Sequence, residues 1–129
     1  MITLIAKIFK RKKRQNQRFI VDNHDLIIYN PNAPEEKEIV NLSLGGISFV
    51  YVDNGKPLNK TFELEIKIGD DFHLGKVRVK IISDIEISEV TSKSQIIKRL
   101  NARFINLNAL QEYELRRILK KYGKEFSMG

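Results

Sequence analysis

The segment Thr61–Ile68 alternates without a break. Phe62, Leu64, Ile66 and Ile68 take every second position, with Glu63, Glu65 and Lys67 between them. Successive side chains of a strand point to opposite faces, so this pattern demands one buried and one wet face. A half-buried strand cannot stand alone, because its apolar face needs a second layer. The same period returns from Phe72 to Ile82, with Leu74, Val77, Val79 and Ile81 among polar neighbours. Gly75 shifts the phase there and marks a bulge. Ile85, Ile87 and Val90 read as a further short strand, Thr91–Ser94 as a hairpin turn, and Leu100, Ala102 and Phe104 alternate once more.

Upstream, apolar residues from Phe19 to Tyr29 predict a strand with a polar interruption at Asp22–Asp25. Residues 30–34 hold two prolines and two asparagines, which cannot sustain a ladder. Ile47–Val52 is a compact apolar strand, and 53–57 (Asp-Asn-Gly-Lys-Pro) is a strong turn. The last element changes period. Leu115, Ile118, Leu119 and Tyr122 fall at i, i+3, i+4 and i+7, the stripe of an amphipathic helix. Asn108 with Gln111 three residues later fits a capping box, and Gly123 fits the stop. Short strands at close spacing followed by one helix predict a small antiparallel barrel. The expected fold is mainly β: a six-stranded, Greek-key-like β-barrel with a C-terminal α-helix at about 109–122.

Charge placement narrows the function. The net charge is +7. Lys7, Lys10, Arg11, Lys12, Lys13, Arg14 and Arg18 lie within the first 18 residues, where there is no acid; in the rest of the chain 16 acidic and 16 basic side chains balance. The body is neutral and the excess sits on one arm. A localised cationic arm calls for an anionic partner: phosphate, nucleic acid or lipid head groups. The alternative for a basic run taken alone is a solvated tail. Residues 1–10 form a short apolar and basic segment in which Ile2, Ile5, Ile8 and Phe9 approach helical spacing. The domain then occupies 11–123, with 11–18 as its basic arm.

Several chemistries are excluded or disfavoured. There is no cysteine, hence no disulfide, thiolate ligand or cysteine nucleophile, which suits a cytoplasmic chain. His24 and His73 are isolated, so no metal site is expected. Asp70–Asp71 and Glu35–Glu36 read as loop charges, and no nucleotide-hydrolase, serine-hydrolase or zinc-peptidase motif occurs. Enzymatic activity and a cofactor are not expected.

Two short patterns remain. Arg14 and Arg18 form R-x-x-x-R, and Asn41-Leu42-Ser43-Leu44-Gly45-Gly46 reads N-x-S-x-x-G, with 22 residues between Arg18 and Asn41. Each alone is weak. The ordered pair at this spacing, in a β-rich chain with a terminal helix, resembles the PilZ family. Arg103-Phe104 before the helix adds to the likeness, which spans about residues 11–122. Asn101-Ala102 departs from it, because relatives often carry a glycine there. The resemblance implies a receptor or adaptor for the bacterial second messenger cyclic di-GMP, acting on an unidentified downstream protein in motility, exopolysaccharide or virulence control. It implies ligand contacts by Arg14 and Arg18 from the arm and by Asn41 and Ser43 from the barrel, with Gly46 giving positive φ or a close backbone approach. Gly45 is an equal of Gly46 or a bystander. The chemistry agrees: guanidinium grips guanine N7 and O6 bidentately or lies on the purine face. For Asn41 and Ser43 the other role is capping a turn. Two alternative functions stay open: a degenerate adaptor that binds only proteins, and a polyanion binder for RNA or, through residues 2–14, an acidic membrane surface. Homodimerisation through 2–9 or the helix also stays open.

Overall fold

The computed structural model describes residues 24–90 and 95–127. Six strands, β1 (His24–Tyr29), β2 (Lys37–Leu42), β3 (Gly46–Val52), β4 (Thr61–Ile68), β5 (Phe72–Val90) and β6 (Gln95–Ile105), precede one helix, α1 (Ala109–Ser127). All ladders are antiparallel, in the order β1-β4-β5-β6-β3-β2. Strands β4, β5 and β6 follow one another as neighbours, and β3 returns beside β6. This is the Greek key. The sheet curls into a barrel; its end strands β1 and β2 approach each other without a shared ladder.

The alternation of β4 sets its two faces as expected. Phe62, Leu64, Ile66 and Ile68 are buried, while Glu63 and Lys67 are exposed. They join Phe49, Leu74, Val79 and Leu100 in the barrel interior. Gly69 turns β4 into β5 with φ at +58°, a conformation glycine adopts without cost. The bulge expected at Gly75 is present: Leu64 pairs with Val77 and Ile66 with Leu74, so β5 carries the extra residue. Helix α1 packs against β2 and β5. It adds Leu115 and Ile118 to the core, and Tyr122 meets Phe72 edge-on at 5.6 Å. Asn108 and Gln111 cap each other's backbone N–H at 2.7 and 3.0 Å, the predicted box.

Two expectations need correction. Ile85 and Ile87 do not belong to a separate strand. They continue β5, a 19-residue strand. Bulges at Ile82 and Ile87 reset the phase without ending the ladder. Gly123 does not stop the helix, which runs on to Ser127. A glycine inside a helix costs only about 1 kcal/mol. The N-x-S-x-x-G segment begins within β2, which includes Asn41 and Leu42. Residues 1–10, the arm 11–18 with Arg14 and Arg18, the start of the first strand at 19–23, and the 91–94 turn lie outside the described residues. No helix among the described residues is long and apolar enough to cross a membrane.

Candidate functional site

The N-x-S-x-x-G segment joins β2 to β3, and a bulge decides how it presents itself. Ile39 pairs with Phe49, yet Asn41 pairs with Ser48, so Val40 is the extra residue on β2. Without it Asn41 would share the inward face of Ile39. With it Asn41 faces outward beside Ser48. The turn that follows is tied by its own serine. The Ser43 hydroxyl oxygen accepts from the Gly45 and Gly46 N–H groups at 3.2 and 3.3 Å, and the Ser43 N–H donates to the Gly46 carbonyl at 2.9 Å. Ser43 therefore does cap its turn. It is also exposed, which leaves its hydroxyl open to a ligand.

Gly46 is required sterically. A Cβ there would lie 2.1 Å from the Ala102 carbonyl oxygen and 2.9 Å from the Arg103 Cα. Its φ is not in the positive region, so the glycine serves close approach of β3 to β6. At Gly45 a Cβ would meet only the Ser43 hydroxyl at 3.9 Å, an ordinary contact. The Gly45 carbonyl instead accepts from the Phe104 N–H at 2.9 Å, binding the turn to β6.

The close approach brings residues of β5 and β6 to the motif. Ser48 pairs with Asn101 and Asn101 with Ser83. With Asn41 they form one polar row across four strands. The Ser48 hydroxyl donates to the Asn101 side-chain oxygen, and the Asn101 amide donates to the Ser83 hydroxyl at 2.7 Å. Asn101 is thereby clamped on both sides, while the Asn41 amide has no hydrogen bond among the described residues. Asn101-Ala102, where a glycine was expected, holds regular register with β3. One rung on, Gly46 pairs with Arg103 and Arg103 with Lys80. Arg103 is exposed and carries no ion pair among the described residues.

Asn41, Ser43, Gly46, Ser48, Asn101 and Arg103 line a shallow depression of about 260 Å³, with the exposed bulge residue Ile82 on its edge. It offers an open amide, an open hydroxyl, an unpaired guanidinium and an apolar edge, which suits a flat, polar, anionic ligand. A larger cavity of about 460 Å³ lies elsewhere, lined by Glu35, Glu36 and Asp53 with Lys56 as its one cation. Its charge is wrong for an anion. No group of three or more acidic or histidine residues among the described residues could hold a metal.

Thus the structure brings together Asn41, Ser43, Gly45 and Gly46, and adds Ser48, Asn101, Arg103 and Lys80, which were not assigned a contact from sequence. Only Arg103 carried a signal, as half of the Arg-Phe pair before the helix. The others arrive by cross-strand register.

No family model matches the sequence, and no curated protein matches it. Among solved structures, the PilZ domain of YcgR from Escherichia coli, described with c-di-GMP, superposes with a TM-score of 0.54 at 21% identity, over 79% of this chain and 91% of that one. The fold of this chain is that of a PilZ domain.

Proposed function

We propose that this domain is a cyclic di-GMP-binding receptor or adaptor module. One observation carries the reading. The N-x-S-x-x-G turn opens on the outer barrel face beside an unpaired arginine, in a fold shared with a PilZ domain described with that nucleotide. In this reading Asn41 offers donor and acceptor to a guanine edge. The Ser43 hydroxyl and the Gly45–Gly46 backbone meet a phosphate, and Ile82 lies against a base. Arg103, with Lys80 behind it, neutralises phosphate from below. Arg14 and Arg18 close from above, where planar guanidinium matches guanine and phosphate better than lysine does. Ordering the arm costs entropy that these charge-assisted contacts offset, at about 1.5–3 kcal/mol each. The ordered arm would be the signal to a downstream protein.

Calorimetric titration of cyclic di-GMP tests this, with GTP and cyclic di-AMP as controls. The expected result is guanine-specific binding, weakened roughly tenfold to a hundredfold in each of Arg14→Ala, Arg18→Ala, Asn41→Ala and Arg103→Ala. A folded wild type that takes up no nucleotide would reject the receptor reading and leave a protein-binding adaptor. Binding lost with Arg14 and Arg18 but indifferent to Asn41 and Arg103 would move the site off the barrel.

A further inference from the structure

Asn41 and Asn101 lie on one polar row, but their amides are spent differently. Asn101 gives its amide to Ser48 and Ser83. Asn41 has no hydrogen bond among the described residues, although the bulge at Val40 turns it outward and it lines the depression. An amide carries an acceptor and a donor side by side. A half-turn about the last side-chain bond exchanges the two, and that torsion has no single strong preference. No protein partner among the described residues fixes the Asn41 amide one way round, so a ligand selects its orientation.

That freedom decides which bases can be read. Guanine presents its O6 acceptor beside the N1–H donor. Adenine presents its N6–H donor beside a ring nitrogen that accepts, N1 or N7. In one setting the amide donates to guanine O6 and accepts from N1–H. In the other it accepts from adenine N6–H and donates to the ring nitrogen, so each purine receives two hydrogen bonds. The rest of the depression does not choose between them. The Ser43 and Ser48 hydroxyls can donate or accept. Ile82, 59% exposed at the edge, offers an apolar surface to either base plane. Arg103 is the one charged residue of the lining, and in the receptor reading phosphate takes it.

We propose that the Asn41 end of the platform takes adenine as readily as guanine, and that the ligands of this domain include a mixed cyclic dinucleotide with one guanine and one adenine. The inference rests on the receptor reading. In that reading the other base is gripped by Arg14 and Arg18. A guanidinium only donates; it matches guanine N7 and O6 and not the adenine N6 amino group. One guanine is therefore needed and two are not, which keeps cyclic di-AMP excluded.

Asn41→Asp is the diagnostic change, because an ionised carboxylate only accepts. It takes guanine N1–H and an N2–H together, whereas against adenine it sets a lone pair against the lone pair of the ring nitrogen. Calorimetric titrations of cyclic di-GMP, cyclic GMP–AMP and cyclic di-AMP are run on the full wild-type chain and on Asn41→Asp at one salt concentration. The readout is the Kd of cyclic GMP–AMP divided by that of cyclic di-GMP. Both ligands carry two phosphates, so the general repulsion of the new carboxylate cancels in this ratio, and so does any shared loss of folded protein. In wild type the ratio should lie below about fivefold, and Asn41→Asp should raise it by roughly tenfold or more. A larger wild-type ratio, or one that Asn41→Asp leaves unchanged, would overturn the proposal and leave the receptor reading standing. Uptake of none of the three by the folded wild type would overturn both.

Discussion

Gly46 and Gly45 are adjacent and chemically identical, yet the structure asks different things of them. At Gly46 a methyl group would sit 2.1 Å from a backbone oxygen of β6. Backbone inside two ladders cannot move aside cheaply, so Gly46→Ala is expected to destabilise the fold by about 2–3 kcal/mol. Gly45→Ala is expected to stay within about 0.5 kcal/mol. Urea unfolding of the two variants checks this contrast, and equal losses would refute the close-approach role. The pair also shows how much of the site was legible. The sequence pattern marks Asn41, Ser43 and Gly46 because they are spaced along one turn. It cannot mark Ser48, Asn101, Lys80 and Arg103 as neighbours, because only register joins them: fifty-three residues separate Ser48 from Asn101. Nor does it show that the bulge at Val40 is what turns Asn41 outward.

At the scale of elements, regular alternation was readable, and a bulge only where a glycine marked it, as at Gly75. Strand β4 begins and ends where its alternation does, at Thr61 and Ile68. Strand β5 was split in two because its bulges at Ile82 and Ile87 break the period while the ladder continues. Strand β2 was hidden because a bulge and the site motif share its six residues. The outer face of the β1-β4-β5 region supplies an electrostatic test. Glu65 on β4 accepts from the Tyr29 hydroxyl of β1 at 2.6 Å and contacts the His73 imidazole of β5. The Tyr29 hydrogen bond first, and the His73 contact second, hold the Glu65 carboxyl below its ordinary pKa. A carboxylate depressed in the folded state contributes stability above its unfolded pKa, near 4.3, and loses it as pH falls through the lower folded value. Melting temperatures should therefore decline more steeply below about pH 4.5 in wild type than in Glu65→Gln. Parallel acid limbs would show that the three-strand contact does not form in solution.

For the whole molecule, the decisive property is the separation of charge from fold. The barrel and helix carry a balanced surface, and the excess of seven cations lies in the first 18 residues. A receptor for a small nucleotide and a polyanion binder use that arm differently, and salt tells them apart. A cyclic dinucleotide has two phosphates, so at about 0.7 counterions per phosphate its affinity should fall less than about tenfold between 50 and 200 mM salt. A single-stranded nucleic acid that engaged all seven arm cations would lose roughly a thousandfold over the same range. The two cases also differ in what they ask of the barrel. Asn41→Ala should weaken dinucleotide binding at every salt concentration and leave its shallow slope unchanged, because it removes no charge, whereas Arg103→Ala should weaken binding and flatten the slope further, because it removes a cation that neutralises phosphate. A steep slope that ignores both substitutions would mean that the arm works without the platform, and that the close approach of β3 to β6 at Gly46 serves the fold alone.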